Sequence, residues 1–365
     1  MANVAIVGLG KMGISHLAIA NATAGVDVVA VCDSSKLLGE MIQKYCKIPF
    51  ESDYGKLIQQ PGLQGVVIAT PSRLHESMIR QAMDRGIHVF CEKPLTLSSS
   101  VSEALADEAD AKDIITQVGY HNRFVATFGE AKRLIDLGVI GRVTHIMGEA
   151  YGPVVLKKAA ATWRSKAGEG GGCLYDYAAH PINLMNWYMG RPLACLGAVL
   201  PNHLSAEVDD AVYATLHFPA GVTGQVSVNW SDESVRKMTT RITIWGDKGR
   251  LYVDRQELQL FCGANATPPA GYDRGWTVKY ITELTPPVGY YLRGEEYSAQ
   301  MEAFGAAIDS GQRLRDNDFR SSADTDFTIE LIRATARGET MGSAVTAAPP
   351  RQAGMFDRLL GRGAR

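Results

Sequence analysis

The feature that most limits what this chain can become lies in its first thirteen residues. The apolar run Val4-Ala5-Ile6-Val7 passes directly into Gly8-Leu9-Gly10-Lys11-Met12-Gly13 and then into a helix-like stretch from Ile14. Three glycines at this spacing, set between a strand and a helix, match a nucleotide-binding turn. Gly8 allows the tight turn, Gly10 lets a pyrophosphate reach the backbone, and Gly13 lets the helix pack on the strand, with helix N–H groups facing the anion. The same glycines also read as a plain turn, so a second marker is needed. Asp33 supplies it, standing 20 residues beyond Gly13 at the end of the second apolar run, where an acid binds a ribose 2′-hydroxyl. An acid there repels a 2′-phosphate and favours NAD, while Ser34, Ser35 and Lys36 beside it leave NADP as the alternative. Asp33 also reads as a cap for the segment that follows. Gly8, Gly10, Lys11, Met12, Gly13, Asp33 and Ser34 are the candidate cofactor contacts of this region.

To about residue 120, short β-branched runs (4–7, 28–32, 66–69, 88–91 and 114–118) alternate with amphipathic stretches such as 72–85 and 98–111. That alternation predicts parallel strands joined by crossover helices, and the strands are nearly all apolar, as a sheet covered on both faces requires. The fold class is α/β, beginning with a Rossmann doubly wound parallel sheet. A helical stretch at 125–137 ends at Gly138, a C-terminal cap, and strands then dominate: 143–150, 211–217, 222–229, 239–244 and 250–253, with turn residues between them. Consecutive hairpins predict a C-terminal α+β domain with a large, mostly antiparallel open sheet, and the helical patterns at 175–189, 295–309 and 322–337 are expected on one face of it. The expected organisation is an NAD(P)-binding domain over 1–122, a substrate-binding and oligomerisation domain over 123–346, and a flexible tail over 347–365, which holds Pro349-Pro350 and four arginines.

Charge and cysteine usage exclude several classes. The 37 Lys+Arg and 39 Asp+Glu give a net charge of -2 and are interspersed, so no nucleic-acid footprint is present. Apolar runs such as 65–69 are far shorter than the roughly 20 residues of a membrane helix, and no membrane partner is expected. The N-terminus lacks the pattern of a secretory leader, and the six cysteines contain no C-x-x-C pair, so a reducing cytoplasmic location is expected. The eight histidines are dispersed without an H-x-x-x-H pair, and no metal site is expected.

Two segments carry candidate chemistry. Cys91-Glu92-Lys93-Pro94 follows a strand on the carboxyl edge of the first sheet, where open α/β folds bind ligands. A lysine held there by a rigid proline turn can hydrogen-bond a substrate hydroxyl, and Glu92 can orient it, although the tripeptide alone also reads as a solvated turn. Further on, Gly168-Glu169-Gly170-Gly171-Gly172 leads into Asp176 and His180, four residues apart and so on one face of a helix. They read as a proton-relay pair with the acid fixing the imidazole tautomer, or as a cap and a core histidine; Pro181 places the helix start near His180.

Taken together, the Gly8/Gly10/Gly13 turn, Glu92-Lys93-Pro94, the string Val118-Gly119-Tyr120-His121-Asn122-Arg123-Phe124, and Gly170-Gly171-Gly172 leading to Asp176 and His180 resemble the Gfo/Idh/MocA oxidoreductase family over nearly the whole chain. The resemblance implies that Lys93, Asp176 and His180 form the catalytic group, with either Lys93 or His180 as the primary base. It implies that Thr70, Pro71, His75, Glu92, Lys93 and Asn122 line the cofactor. It implies that Tyr120, Arg123, Trp163 and Arg164 join Lys93, Asp176 and His180 around the substrate; Arg164 alternatively anchors the glycine loop through a carboxylate, and Trp163 is alternatively core. Two positions depart from the family pattern: Asn183 stands where an acid is common, leaving only hydrogen bonding, and Ser72 stands where Asn is common. The implied activity is NAD(P)-dependent hydride transfer at a carbinol carbon of a sugar, cyclitol or sugar derivative, in a homodimer or homotetramer. Its alternatives are an NADP-retaining oxidoreductase cycling between two polyhydroxylated substrates, and a non-catalytic dinucleotide sensor.

Overall fold

Strands that are apolar on both faces need cover on both faces, and the first half of the chain is built on that requirement. The computed structural model describes residues 1–157, 163–314 and 316–339, so the 347–365 tail lies outside the described residues. Its first sheet has six parallel strands: β1 (Ala2–Val7), β2 (Val26–Cys32), β3 (Phe50–Glu51), β4 (Gly65–Ile68), β5 (His88–Cys91) and β6 (Thr116–Val118). Their order, β3-β2-β1-β4-β5-β6, reverses direction between β1 and β4, which opens a crevice at the carboxyl ends of those two strands. Helices α1 (Lys11–Ala22), α2 (Lys36–Cys46), α3 (Tyr54–Leu57), α4 (His75–Met83) and α5 (Ser99–Ala111) make the crossovers. The two-residue β3 is too short to leave a periodic pattern and is an addition to the five strands expected.

After α6 (Ala126–Asp136), which Gly138 terminates at φ +68°, eight strands form the second sheet: β7 (Val143–Tyr151), β8 (Ala194–Val199), β9 (Ala211–His217), β10 (Thr223–Asn229), β11 (Arg241–Gly246), β12 (Gly249–Asp254), β13 (Glu257–Cys262) and β14 (Gly275–Tyr280). The order is β14-β13-β12-β11-β7-β10-β9-β8, antiparallel except for the β7/β10 pair. Residues such as Ile146, Val226, Ile244 and Leu260 point inward to the helical layer, where α7 (Ala179–Met189) lies against β7 and β11 and α6 against β12 and β13. On the other face Phe261, Trp276, Val278 and Tyr280 remain exposed. Strand β14 escapes a pattern search because its apolar residues alternate toward the open face, and β8 because its larger residues, Leu196 and Val199, are exposed and it carries a bulge between Cys195 and Gly197.

The last helices correct the expected layering. Following the short α8 (Ile281–Leu284), α9 (Glu295–Ser310) does not pack on the second sheet: Met301, Phe304 and Ile308 cover Val4, Ile6, Val67 and Phe90 of the first. Gly305 makes this approach close, since a Cβ there would stand 2.5 Å from Val26 Cγ2. Helix α10 (Phe319–Ala336) lies against α5, α7 and β8, and its Asp326 accepts a hydrogen bond of 2.6 Å from Ser102 on α5. Among the described residues no helix is long and apolar enough to cross a membrane.

Candidate active site

The glycine turn is shaped as its three positions require. Gly8 has φ +91°, and a side chain there would meet the Ala69 carbonyl oxygen at 2.8 Å. A Cβ on Gly13 would stand 1.7 Å from the Gly8 carbonyl oxygen, so helix α1 can sit this close to β1 only with glycine. Around Gly10, by contrast, a Cβ would meet nothing within 4 Å: this is the open side, toward which a ligand can approach. Gly10 caps α1 without a side chain, and no acid stands in the first turn near Lys11 and Met12, so the terminal N–H groups and the helix dipole suit a pyrophosphate. Asp33 accepts the Leu9 N–H at 2.5 Å and the Ser35 N–H at 2.7 Å, which braces the glycine turn from β2, with Ser34 exposed beside it. The cap residue of α2 is Ser35 rather than Asp33.

Beyond β4 and β5 two loops are tied together by His75. Its Nε2 lies 2.9 Å from the Thr70 carbonyl and its Nδ1 3.0 and 3.2 Å from those of Pro94 and Leu95, and burial holds its pKa below the ordinary histidine value. His75 therefore acts on the crevice through the Thr70-Pro71 loop and the Lys93-Pro94 turn, whose peptide bond is cis. Glu92 points to His16 of α1, whose Nε2 stands 2.7 Å from Oε1, and its Oε2 accepts the Lys93 N–H at 3.2 Å. Burial raises the Glu92 pKa, but His16 and Lys93 outweigh it and hold the carboxyl below its usual value. Gly119 admits this arrangement, because a Cβ there would lie 2.6 Å from Glu92 Oε2.

Lys93 reaches across to the second half of the molecule. Its Nζ donates to the Asp176 carboxylate at 3.0 Å and to the Asp176 carbonyl at 2.9 Å. Asp176 is 8% exposed, and its second carboxylate oxygen accepts from Arg164 Nε at 2.8 Å. Burial alone raises the pKa of this acid; Lys93 and Arg164 reverse that and hold it below the ordinary carboxylate range. The carboxylate is thus shared by two cations, and no hydrogen bond joins it to His180 among the described residues. The glycine loop creates the geometry: Gly171 and Gly172 donate to the Lys166 and Arg164 carbonyls, and a Cβ on Gly171 would lie 2.3 Å from the Arg164 oxygen. The segment beyond is helical throughout, a π-helical turn at Leu174–Ala178 running straight into α7, so Pro181 does not delay the helix. His180, 5% exposed, follows on α7; burial, then Lys93 and Arg255, press its pKa well below the ordinary value.

The remaining candidates spread around this centre. Tyr120 is buried, edge-on to the His180 ring at 6.2 Å between centroids. Asn122 is buried and its Oδ1 lies 3.4 Å from Arg255 Nη1. Arg123 is also buried, and burial lowers its pKa to about 10; its Nε donates to Asn183 Oδ1 at 2.7 Å and its Nη1 to the Asp316 carbonyl, while the guanidinium lies over Trp187. Asn183 thus does by hydrogen bonding what an acid would do by charge. The Trp163 side chain lies outside the described residues. Reasoning from sequence passed over His16, His121, Arg255 and Glu296. The two histidines lie inside segments already singled out, and their pairing with acids and cations elsewhere was the missing signal; Arg255 and Glu296 sit on a hairpin turn and a helix start that no motif marks. Among the described residues no group of three or more His, Cys, Asp or Glu is placed to hold a metal ion.

Residues 2–120 match the family described as an oxidoreductase family with an NAD-binding Rossmann fold, and residues 128–252 match the GFO/IDH/MocA C-terminal domain. The chain belongs to the Gfo/Idh/MocA oxidoreductase family. Its first domain is accordingly an NAD-binding Rossmann domain. Among Gfo/Idh/MocA relatives, a scyllo-inositol 2-dehydrogenase (NAD(+)) from Bacillus subtilis is 28% identical over 261 residues, covering 68% of this chain and 72% of that protein. A levoglucosan dehydrogenase from Pseudarthrobacter phenanthrenivorans is 27% identical over 258 residues, covering 62% of this chain and 65% of that one. A solved levoglucosan dehydrogenase in complex with NADH and levoglucosan superposes with a TM-score of 0.82 at 24% identity, over 93% of this chain and 98% of that chain, and shares its fold.

Proposed function

We propose that this Gfo/Idh/MocA protein oxidises a carbinol carbon of a small polyhydroxylated molecule, a sugar, cyclitol or sugar derivative, to the ketone, or runs the reverse. The observation that carries the reading is the Lys93–Asp176–Arg164 cluster beside His180 at the carboxyl end of β5. NAD, when bound on the glycine turn, supplies the hydride acceptor for the carbinol C–H. Asp33 favours it over NADP, because a 2′-phosphate would face a carboxylate already committed to the backbone of the turn.

Each residue then has a task. Asp176 takes two of the Lys93 N–H groups and leaves the third for the substrate oxygen, where the ammonium stabilises a developing alkoxide. His180 enters the site neutral and accepts the hydroxyl proton, so that the alcohol loses a proton to the protein and a hydride to the cofactor. Arg164 keeps Asp176 ionised and, being partly exposed, can reach the substrate, whereas Tyr120 and Arg123 are buried and shape the site from behind. The open face of the second sheet, with Phe261, Trp276, Val278 and Tyr280 exposed, suits self-association into a homodimer or homotetramer. The six cysteines, all free, fit work in a reducing cytoplasm.

The test is the appearance of reduced nicotinamide with NAD or NADP across sugars, sugar acids, cyclitols and nucleotide sugars, with Lys93→Met alongside. Turnover with NAD that collapses in the variant while NAD still binds supports the reading. Binding without turnover of any member, equal in both proteins, points to a dinucleotide sensor.

A further inference from the structure

His121 has no task in the chemistry above, yet it stands next to the proposed base. It opens the turn after β6, with its ring centroid 5.0 Å from that of His180, and its other neighbour is Tyr297 of α9, stacked on it at 4.7 Å and 19°. Arg255, on the turn between β12 and β13, reaches in and places Nη1 3.2 Å from His121 Nε2 and 3.4 Å from Asn122 Oδ1. Its Nη2 is held by Glu296, a carboxylate at the start of α9 that is 3% exposed. Three separate parts of the chain thus converge on one imidazole.

The tautomer follows from the donor inventory. A guanidinium offers only N–H donors and no lone pair, so its contact with Nε2 is attractive only if that nitrogen carries a lone pair. The His121 proton then sits on Nδ1, and a second proton would have to be placed on Nε2, directly against Arg255. We propose that Arg255 is a positioning residue of the active site, which holds His121 as a neutral, Nδ1-protonated imidazole so that a proton taken up at the centre resides on His180 alone. The inference deepens the dehydrogenase reading and rests on it for the role of His180, but the tautomer of His121 stands on geometry independent of that reading.

The charged surroundings act in the same direction. His121 is faced by His180 from α7, Arg255 from the hairpin, Lys93 from the turn after β5, and Arg293, Glu296 and Tyr297 from α9 and its approach; burial and then His180 and Arg255 keep it well below the ordinary histidine range. The anions near them are engaged: Asp176 by Lys93 and Arg164, Glu296 by Arg255. Without Arg255 two imidazoles at this distance would titrate as a coupled pair and divide the proton between them.

Nitrogen NMR of the histidine rings in the full-length protein, recorded from pH 5.5 to 8.5, tests this, with the His121 signals assigned by their loss in His121→Asn. The wild type should show His121 neutral and protonated on Nδ1 throughout. In Arg255→Gln, where the buried Glu296 carboxylate loses its cation beside the ring, the His121 pKa should rise against the burial that still holds it down, and Arg255→Lys, which restores a cationic donor, should suppress the rise again. An Nε2-protonated or freely titrating His121 in the wild type overturns the proposal, as does an Arg255→Gln protein that folds with an unchanged titration. Should Arg255→Gln fail to fold by thermal melting, the wild-type tautomer decides alone. NAD binding and turnover are measured separately on the same samples: no turnover with a correct tautomer removes the dehydrogenase reading only, and turnover with the wrong tautomer removes this proposal only.

Discussion

The two ends of the crevice are built from different materials. At the glycine turn the working groups are backbone: N–H groups at the start of α1, a carbonyl close to Gly13, and one side chain, Asp33, that braces the turn. All of it comes from the first 35 residues. At the other end the working groups are side chains, and they arrive from β5, the glycine loop, α7, the turn after β6, the β12–β13 hairpin and α9. A backbone device demands particular residue types at fixed spacing and fails by steric conflict. A side-chain device demands long-range placement and fails by loss of charge or proton transfer.

That contrast can be broken. Gly13→Val should have the largest effect, because even a Cβ would lie 1.7 Å from the Gly8 oxygen. We expect a destabilisation of about 3 kcal/mol or more and loss of NAD binding; thermal melting and NAD titration read both, and a variant that still binds NAD normally would show that the turn tolerates side chains. Lys93→Met should separate the two ends most sharply: turnover falling about 10²–10⁴-fold with NAD binding within a few-fold of wild type. A parallel loss of NAD affinity would mean that Lys93 belongs to the nucleotide end.

This difference of materials also decided what could be read from the sequence. Gly8, Gly10, Gly13 and Asp33 are legible because one local segment contains the entire device and each glycine has a steric reason. Lys93, Asp176 and His180 were found through short motifs, but the pairing was not: a four-residue spacing suggested Asp176 with His180, whereas the carboxylate is taken by Lys93 and Arg164. Spacing fixes which face of a helix a residue occupies and says nothing of cations more distant in the chain. Arg255 and Glu296 were invisible for the same reason. In the fold, the parallel sheet was readable because its strands are mostly apolar runs, and β14 was not, because its apolar residues face outward.

Asp326 gives a smaller test at the seam between the halves. It is buried on α10, its Oδ2 accepts from Ser102 and Thr96, its Oδ1 has no partner among the described residues, and burial pushes its pKa up to about 7. The folded state therefore holds this proton more tightly than the unfolded chain, so its contribution to stability is full below about pH 4 and is lost as pH rises toward 7. Asp326→Asn should remove that slope, with a gain of about 1–2 kcal/mol at pH 8 and none at pH 4, read by denaturant melts at both. A gain equal at the two pH values would assign the effect to packing. The smallest effect is expected from Asp33→Ser, which should weaken NAD about tenfold and bring NADP closer to parity in a binding titration. Unchanged selectivity would leave Asp33 as a brace of the turn and nothing more.

The placement of α9 has a consequence for how such a protein is made. Its residues Met301, Phe304 and Ile308 complete the cover of a sheet whose last strand ended at Val118. A ribosome delivers the amino end first, so the part of the Val4, Ile6, Val67 and Phe90 face that α1 does not cover waits exposed until Glu295–Ser310 has been synthesised. The nucleotide-binding half is therefore the first to be translated but cannot be the first to be finished, and a fragment cut after the sixth strand would carry that half-covered face into solution.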